Sequence, residues 1–142
     1  PNGAKAGDEG SISYWEDGES HQVFSAEDVG VFINLSRDKN PLHTDDAFAR
    51  ERGFEGKIVP GMLLISRFSY LYGMFLREKR WLILSAEVKF RKPIYVDEQF
   101  HGRWKKLNES EATKILEVKN EIYNSKNEIA VEGVTKVQLI KP

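Results

Sequence analysis

From Trp81 onward the chain alternates. Leu82, Leu84, Ala86, Val88 and Phe90 fall on one side of a period of two, and Ser85, Glu87, Lys89 and Arg91 fall on the other. That is the pattern of a half-buried strand. Further strand-like runs follow around Ile94 to Trp104, Lys114 to Tyr123 and Ile129 to Ile140, with the polar stretch 124–128 as the turn between the last two. Links as short as a hairpin join antiparallel neighbours. The first half of the chain has another period. After an extended region from Ile12 to Phe24, broken at Asp17-Gly18, Ser25 caps a helix expected to end near Ser36. Asp28 stands three residues beyond the cap, and Val29, Phe32 and Ile33 share a face. Thr44 opens a second, short helix, with Asp45 and Asp46 in its positive first turn and Gly53 as a left-handed stop.

The segment from Gly61 to Leu76 is apolar almost all round, interrupted by Arg67, the serines and the tyrosine hydroxyls. A helix of this kind is enclosed rather than laid on a surface. It is too short, and too interrupted at Arg67, to cross a bilayer. Helices first and strands afterwards give an α+β domain, a curved antiparallel sheet wrapped around the one helix apolar enough to be its core. The 142 residues suit one domain. Residues 1–11, rich in glycine and poor in apolar side chains, read as a flexible N-terminal tail without the basic-then-apolar order of a secretion signal. Residues 12–142 read as the single domain.

Composition narrows the partners. A net charge of -1, with basic residues scattered among acids, leaves no electrostatic footprint for a nucleic acid. With 40% hydrophobic and 30% charged residues the chain is neither disordered nor a membrane protein. The absence of cysteine removes disulfides, thiolate zinc sites and a cysteine nucleophile, and suits the cytoplasm.

The chemistry concentrates in "SRDKNPLHTDDAF", Ser36 to Phe48, where Asp38, Asn40, Pro41 and His43 fall within six residues. Histidine titrates near neutrality and a desolvated aspartate is tuned upward, so the two can hold one water and act in opposite protonation states. Pro41 fixes its own φ and biases Asn40 away from the helical region, so the chain turns between Asp38 and His43, with the Asn40 amide bonding locally. Two other readings use the same residues. Asp38 stops a helix and His43 is a partly buried turn residue; or Asp38, His43, Asp45 and Asp46 bind a metal, a set that lacks a second histidine. His21 and His101 read as surface residues, and Tyr70, Tyr72, Phe75 and Trp81 as core or interface aromatics.

The stretch "LSRDKNPLHTDDAFARERGFEGKIVPGMLLISRFS", followed by "VKFRKPIYVDEQF", resembles the MaoC-like family of (R)-specific enoyl-CoA hydratases and 3-hydroxyacyl-thioester dehydratases. The likeness runs from about Phe24 to the C-terminus. Asp38, Asn40, Pro41, Leu42, His43, Asp45, Gly61, Met62, Leu63 and Ser69 match the family pattern in order and spacing. The resemblance implies a hot-dog fold, a strongly bent antiparallel sheet around a long central helix. It also implies reversible hydration of trans-2-enoyl thioesters to (R)-3-hydroxyacyl thioesters, in fatty-acid or polyketide-type metabolism. Asp38 and His43 would be the catalytic pair, the Gly61 amide the donor to the thioester oxygen, and Asn40 and Ser69 the supports. No metal or redox cofactor is implied. The substrate would ride on CoA or an acyl-carrier protein, in a homodimer or dimer of dimers with pockets at the subunit interface.

Three positions qualify that picture. Pro60 stands where most members carry histidine; it keeps the Gly61 donor and removes an imidazole. Arg37 favours a charged Asp38 wherever it folds toward it. Arg67 needs a partner, expected to be a dimer contact or the carrier's phosphate. Two other functions stay open, an acyl-thioester hydrolase and a catalytically degenerate acyl-thioester binding module.

Overall fold

The sheet is built from strands whose buried positions recur every second residue. A computed structural model describes residues 9–11, 22–75 and 80–140. The extended run from Ile12, its Asp17-Gly18 turn and His21 lie outside them. Five strands, β1 (Glu9–Ser11), β2 (Trp81–Phe90), β3 (His101–Ser110), β4 (Ile115–Tyr123) and β5 (Ile129–Leu139), pair antiparallel in the order β1-β3-β4-β5-β2. Glu9–Ser11, three residues of the segment expected as a tail, form an edge strand beside β3. Leu116, Val118, Asn120 and Ile122 of β4 and Val131, Thr135 and Val137 of β5 are buried on the concave face.

Helix α1 (Ala26–Ser36) begins at the expected cap: Asp28 N–H donates to Ser25 Oγ at 3.1 Å and Ser25 N–H to Asp28 Oδ2 at 2.9 Å. A 3-10 turn at Pro41–His43 then leads into α2 (Asp46–Glu51). The second helix therefore starts later than Thr44, and its cap is Asp45, which accepts from Phe48 N–H at 3.1 Å. The central helix α3 (Gly61–Tyr70) continues as a π turn through Leu71–Phe75. Its Leu64, Phe68, Leu71 and Tyr72 pack with Trp104, Leu116, Val118, Ile122, Val131 and Val137. Full burial of such side chains stabilises the fold by about 1.5–3 kcal/mol each.

Three expectations are corrected. The period of β2 breaks at a bulge between Ile83 and Ser85, so Ile83 lies opposite Val137 while Ala86, Val88 and Phe90 lie opposite Thr135, Gly133 and Val131. Leu82 thus faces away from Ala86, Val88 and Phe90, because an inserted residue reverses the alternation beyond it. Second, the strand expected from Ile94 begins only at His101. Asp97 adopts φ 68, a left-handed conformation that interrupts extended chain, and the preceding residues make isolated bridges instead. Third, β2 does not pair with β3 but crosses to the far side of β5.

The central helix is not enclosed all round. Met62, Ser66, Ser69 and Gly73 are exposed along one side. Leu82, Ile83, Leu84 and Phe90 of the outermost strand are exposed as well. Apolar side chains at the start of the helix and along the outermost strand are therefore uncovered.

Candidate active site

The loop between α1 and α2 is shaped by its own side chains. Helix α1 ends on Arg37, left-handed at φ 64, whose N–H bonds to Ile33 O at 2.8 Å. Asp38 Oδ1 then accepts from Asn40 N–H at 3.0 Å, and Asn40 Oδ1 accepts from Leu42 N–H at 3.1 Å. Two Asx turns in succession hold the chain on either side of Pro41, which is why short polar side chains are needed here. The turn brings His43 Nε2 to 3.7 Å from Asp38 Oδ2. That is too long for a direct hydrogen bond. It suits a water seated to one side of both atoms.

His43 is buried while the Asp38 side chain is 44% exposed, so the pair has one closed wall and one open to solvent. His43 Nδ1 lies 2.8 Å from the Ile58 carbonyl. A carbonyl only accepts, so Nδ1 carries the proton and Nε2 is the atom aimed at Asp38. Segment 57–59 that supplies this carbonyl is tied on both sides. Ile58 N–H donates to Leu42 O, Val59 N–H to Ile94 O and Val96 N–H to Lys57 O. Asp46 Oδ1 accepts from Lys57 N–H at 2.9 Å. Asp46, expected only to favour a helix start, therefore also anchors the strap that orients the histidine.

Three residues beyond Ile58 the same strap becomes α3. Pro60 is its N-cap with no side-chain bond, and the first helical bonds to it come from Leu63 and Leu64 N–H at 3.0 and 3.1 Å. The Gly61 and Met62 amides are left without an intrahelical acceptor, at the positive end of the helix. A Cβ on Gly61 would lie 2.7 Å from the exposed Phe90 ring, so any larger residue there would have to displace that ring. Asp38, Asn40 and His43 are thus brought together, and Gly61 is coupled to them through Ile58.

Other expected residues fall elsewhere. Ser69 is exposed two turns along α3, roughly 12 Å of helix rise from Gly61, and makes no hydrogen bond among the described residues. Ser66, by contrast, bonds back to Leu63 O. Arg37 makes no ion pair with Asp38. Arg67 is buried inside this chain: its Nε donates to Gln22 Oε1 at 3.1 Å and its guanidinium lies 4.4 Å from the Tyr70 ring. Burial pulls its pKa down to about 10, partly opposed by Tyr70. That position corrects the expectation of a dimer contact or a phosphate ligand. Sequence reasoning missed the Ile58 carbonyl and Phe90, since a backbone acceptor has no side-chain signal and Phe90 reads only as a strand residue.

Similarity to known proteins converges on this region. The profile of the MaoC like domain matches residues 16–128. The chain is 36% identical over 116 residues to an (R)-specific enoyl-CoA hydratase of Aeromonas caviae, covering 82% of this chain and 87% of the relative. It is 31% identical over 112 residues to a mitochondrial 3-hydroxyacyl-[acyl-carrier-protein] dehydratase of Arabidopsis thaliana, covering 78% of this chain and 66% of the relative. The solved structure of an (R)-hydratase from A. caviae superposes with a TM-score of 0.80 at 35% identity, covering 84% of this chain and 91% of that one. The hot-dog architecture expected from the resemblance is the observed one.

Proposed function

Because the chain belongs to the MaoC-like domain family, we propose that it catalyses reversible hydration of trans-2-enoyl thioesters to (R)-3-hydroxyacyl thioesters. The observation that carries the reading is the spacing of His43 Nε2 and Asp38 Oδ2, 3.7 Å apart, with Nδ1 committed to Ile58. In the forward direction a water held by the pair attacks C3. Its O–H bond breaks toward whichever partner is unprotonated, the C2–C3 π electrons move to C2, and the protonated partner delivers a proton there. Dehydration runs the same steps in reverse. As C2 gains electron density the thioester oxygen becomes enolate-like, and the unbonded Gly61 amide at the start of α3 is placed to donate to it. Asn40 supports the turn that holds the pair, and Ser69 lines the open side of the helix.

The reaction is redox-neutral and its proton transfers fall to two side chains, so the reading includes no cofactor. The acyl group rides on CoA or an acyl-carrier protein. A second copy of this chain completes the particle. β2 is paired only with β5 among the described residues, and its Leu82 and Leu84 are exposed, as is Met62 of α3. An open edge with apolar side chains is a template for another strand, and a homodimer places like edge against like edge across a two-fold axis. No helix among the described residues is long and apolar enough to cross a membrane. A chain without cysteine suits the cytoplasm, where we place it.

The test is to mix purified protein with crotonyl-CoA and follow the enoyl-thioester absorbance. Loss of absorbance with formation of the (R)-3-hydroxy product is the expected result. Release of free thiol would identify a hydrolase instead, and tight binding without turnover a degenerate binding module.

A further inference from the structure

The turn that carries His43 grips the strap at 57–59 in three places. Leu42 O accepts from Ile58 N–H at 3.0 Å, His43 Nδ1 donates to Ile58 O at 2.8 Å, and Asp46 Oδ1 accepts from Lys57 N–H at 2.9 Å. Thr44 and Asp45 N–H both bond back to Pro41 O, so His43 and Asp46, three residues apart, belong to one hydrogen-bonded turn. The first grip is backbone to backbone, and the second is the bond that orients the imidazole. The third needs a particular side chain.

Asp46 does more than favour the start of α2. At the first position of that helix its carboxylate would serve the dipole equally well from solvent. Instead it is half-buried and bonded eleven residues along the chain. The strap makes room for it: a Cβ on Gly56 would lie 3.0 Å from Asp46 Oδ1, crowding the oxygen to which Lys57 N–H donates. In the other direction the strap leads to the oxyanion donor. Gly61 is three residues beyond Ile58, Pro60 has a fixed φ, and α3 starts with no side-chain cap of its own. The start of α3 is therefore located by the strap's own bonds, Val59 N–H to Ile94 O at 2.8 Å and Val96 N–H to Lys57 O at 3.0 Å. A shift at Lys57 is passed to the Ile58 carbonyl and, through Pro60, to the Gly61 amide. The imidazole and the oxyanion donor share one support.

We propose that Asp46 is a positioning residue of the hydratase: by holding Lys57 N–H it sets the strap in register with the His43 turn, and so aims Nε2 at the water and the Gly61 amide at the thioester oxygen. It touches neither substrate nor water. The proposal rests on the hydratase reading and adds to it a residue that acts through two others. Both of those act on the transition state more than on the bound thioester, so loss of Asp46 falls on kcat rather than on KM.

The experiment compares crotonyl-CoA hydration and the imidazole nitrogen spectrum of His43 in the wild type, Asp46→Ala, Asp46→Asn and Ser25→Ala. Asp46→Asn gives up the charge and keeps an oxygen for Lys57 N–H, whereas Asp46→Ala gives up both. Ser25→Ala removes the α1 cap, a loss of stability with no bond to the strap. Asp46→Ala is expected to lower kcat about ten- to a hundredfold with KM within about twofold of the wild type. Its His43 nitrogens are expected to move toward the average of the two tautomers. Asp46→Asn and Ser25→Ala are expected to stay near the wild type in all three readings. Should Asp46→Ala lose its cooperative melt, Asp46→Ser takes its place, with a hydroxyl too short to reach Lys57 N–H. Wild-type kcat and nitrogen shifts in Asp46→Ala overturn the proposal. So does an Asp46→Asn variant as impaired as Asp46→Ala, which assigns the effect to charge, or an equal loss in Ser25→Ala, which assigns it to stability. A wild type that hydrates no thioester defeats the hydratase reading, and the nitrogen spectra of the Asp46 variants then decide by themselves whether Asp46 aims His43.

Discussion

His43 is oriented by Ile58: its Nδ1 donates to the Ile58 carbonyl at 2.8 Å, which turns Nε2 toward Asp38. The bond fixes the tautomer of the neutral ring, because a carbonyl offers no proton in return. Nitrogen NMR of the imidazole is expected to show Nδ1 protonated and Nε2 unprotonated in the neutral form. The opposite tautomer would mean that the Ile58 carbonyl does not orient the ring.

Asn40 holds the turn between Asp38 and His43 through Leu42 N–H at 3.1 Å. Asn40→Ala removes that acceptor and is expected to destabilise the protein by about 1 kcal/mol, comparable to loss of a helix cap. For a chain of this size that is a fall in Tm of about 3 °C. Asn40→Asp keeps the acceptor and is expected to melt close to the wild type, a contrast that thermal denaturation of the two variants reads directly.

Gly61 and Phe90 are matched in shape, with a Cβ on residue 61 falling 2.7 Å from the ring. Gly61→Ala favours the helix by propensity but forces the ring or the helix start to move. The expected result is a kcat/KM for crotonyl-CoA reduced about tenfold or more, as for a misplaced oxyanion donor. Adding Phe90→Ala relieves the collision, so the double variant is expected to be less impaired in kcat than the sum of the single losses.

The exposed edge of β2 gives a test of assembly. Leu84→Lys introduces a charge beside Leu82 on an edge that a second copy is proposed to cover. Analytical ultracentrifugation is expected to show the wild type as a dimer and Leu84→Lys shifted toward monomer. A variant that sediments like the wild type would place the dimer contact elsewhere.

The α1 cap, the turn at Pro41 and the strands β4 and β5 were legible in the sequence because each rests on local chemistry: Ser25 with Asp28, Asn40 before Pro41, alternation about Asn120. The proximity of Asp38 and His43 was legible for the same reason, since they are near in sequence, while their proposed role came from the family resemblance. What was not legible depends on distant contacts. The bulge at Leu84 answers to β5, the strap from Lys57 to Val59 to three separate segments, and the burial of Arg67 to Gln22, 45 residues away. Asp46 illustrates the boundary: its place in a helix start was readable, but its bond to Lys57 N–H was not.

The central claim is that Asp38 and His43 together transfer the protons of hydration, and one measurement bears on it most directly. Crotonyl-CoA hydration is compared among the wild type, Asp38→Asn and His43→Gln, each shown to melt cooperatively. The expected result is a loss of about 10²–10⁴ in kcat for each variant, the span of a general acid or base. Turnover in both variants at the wild-type rate would contradict the claim.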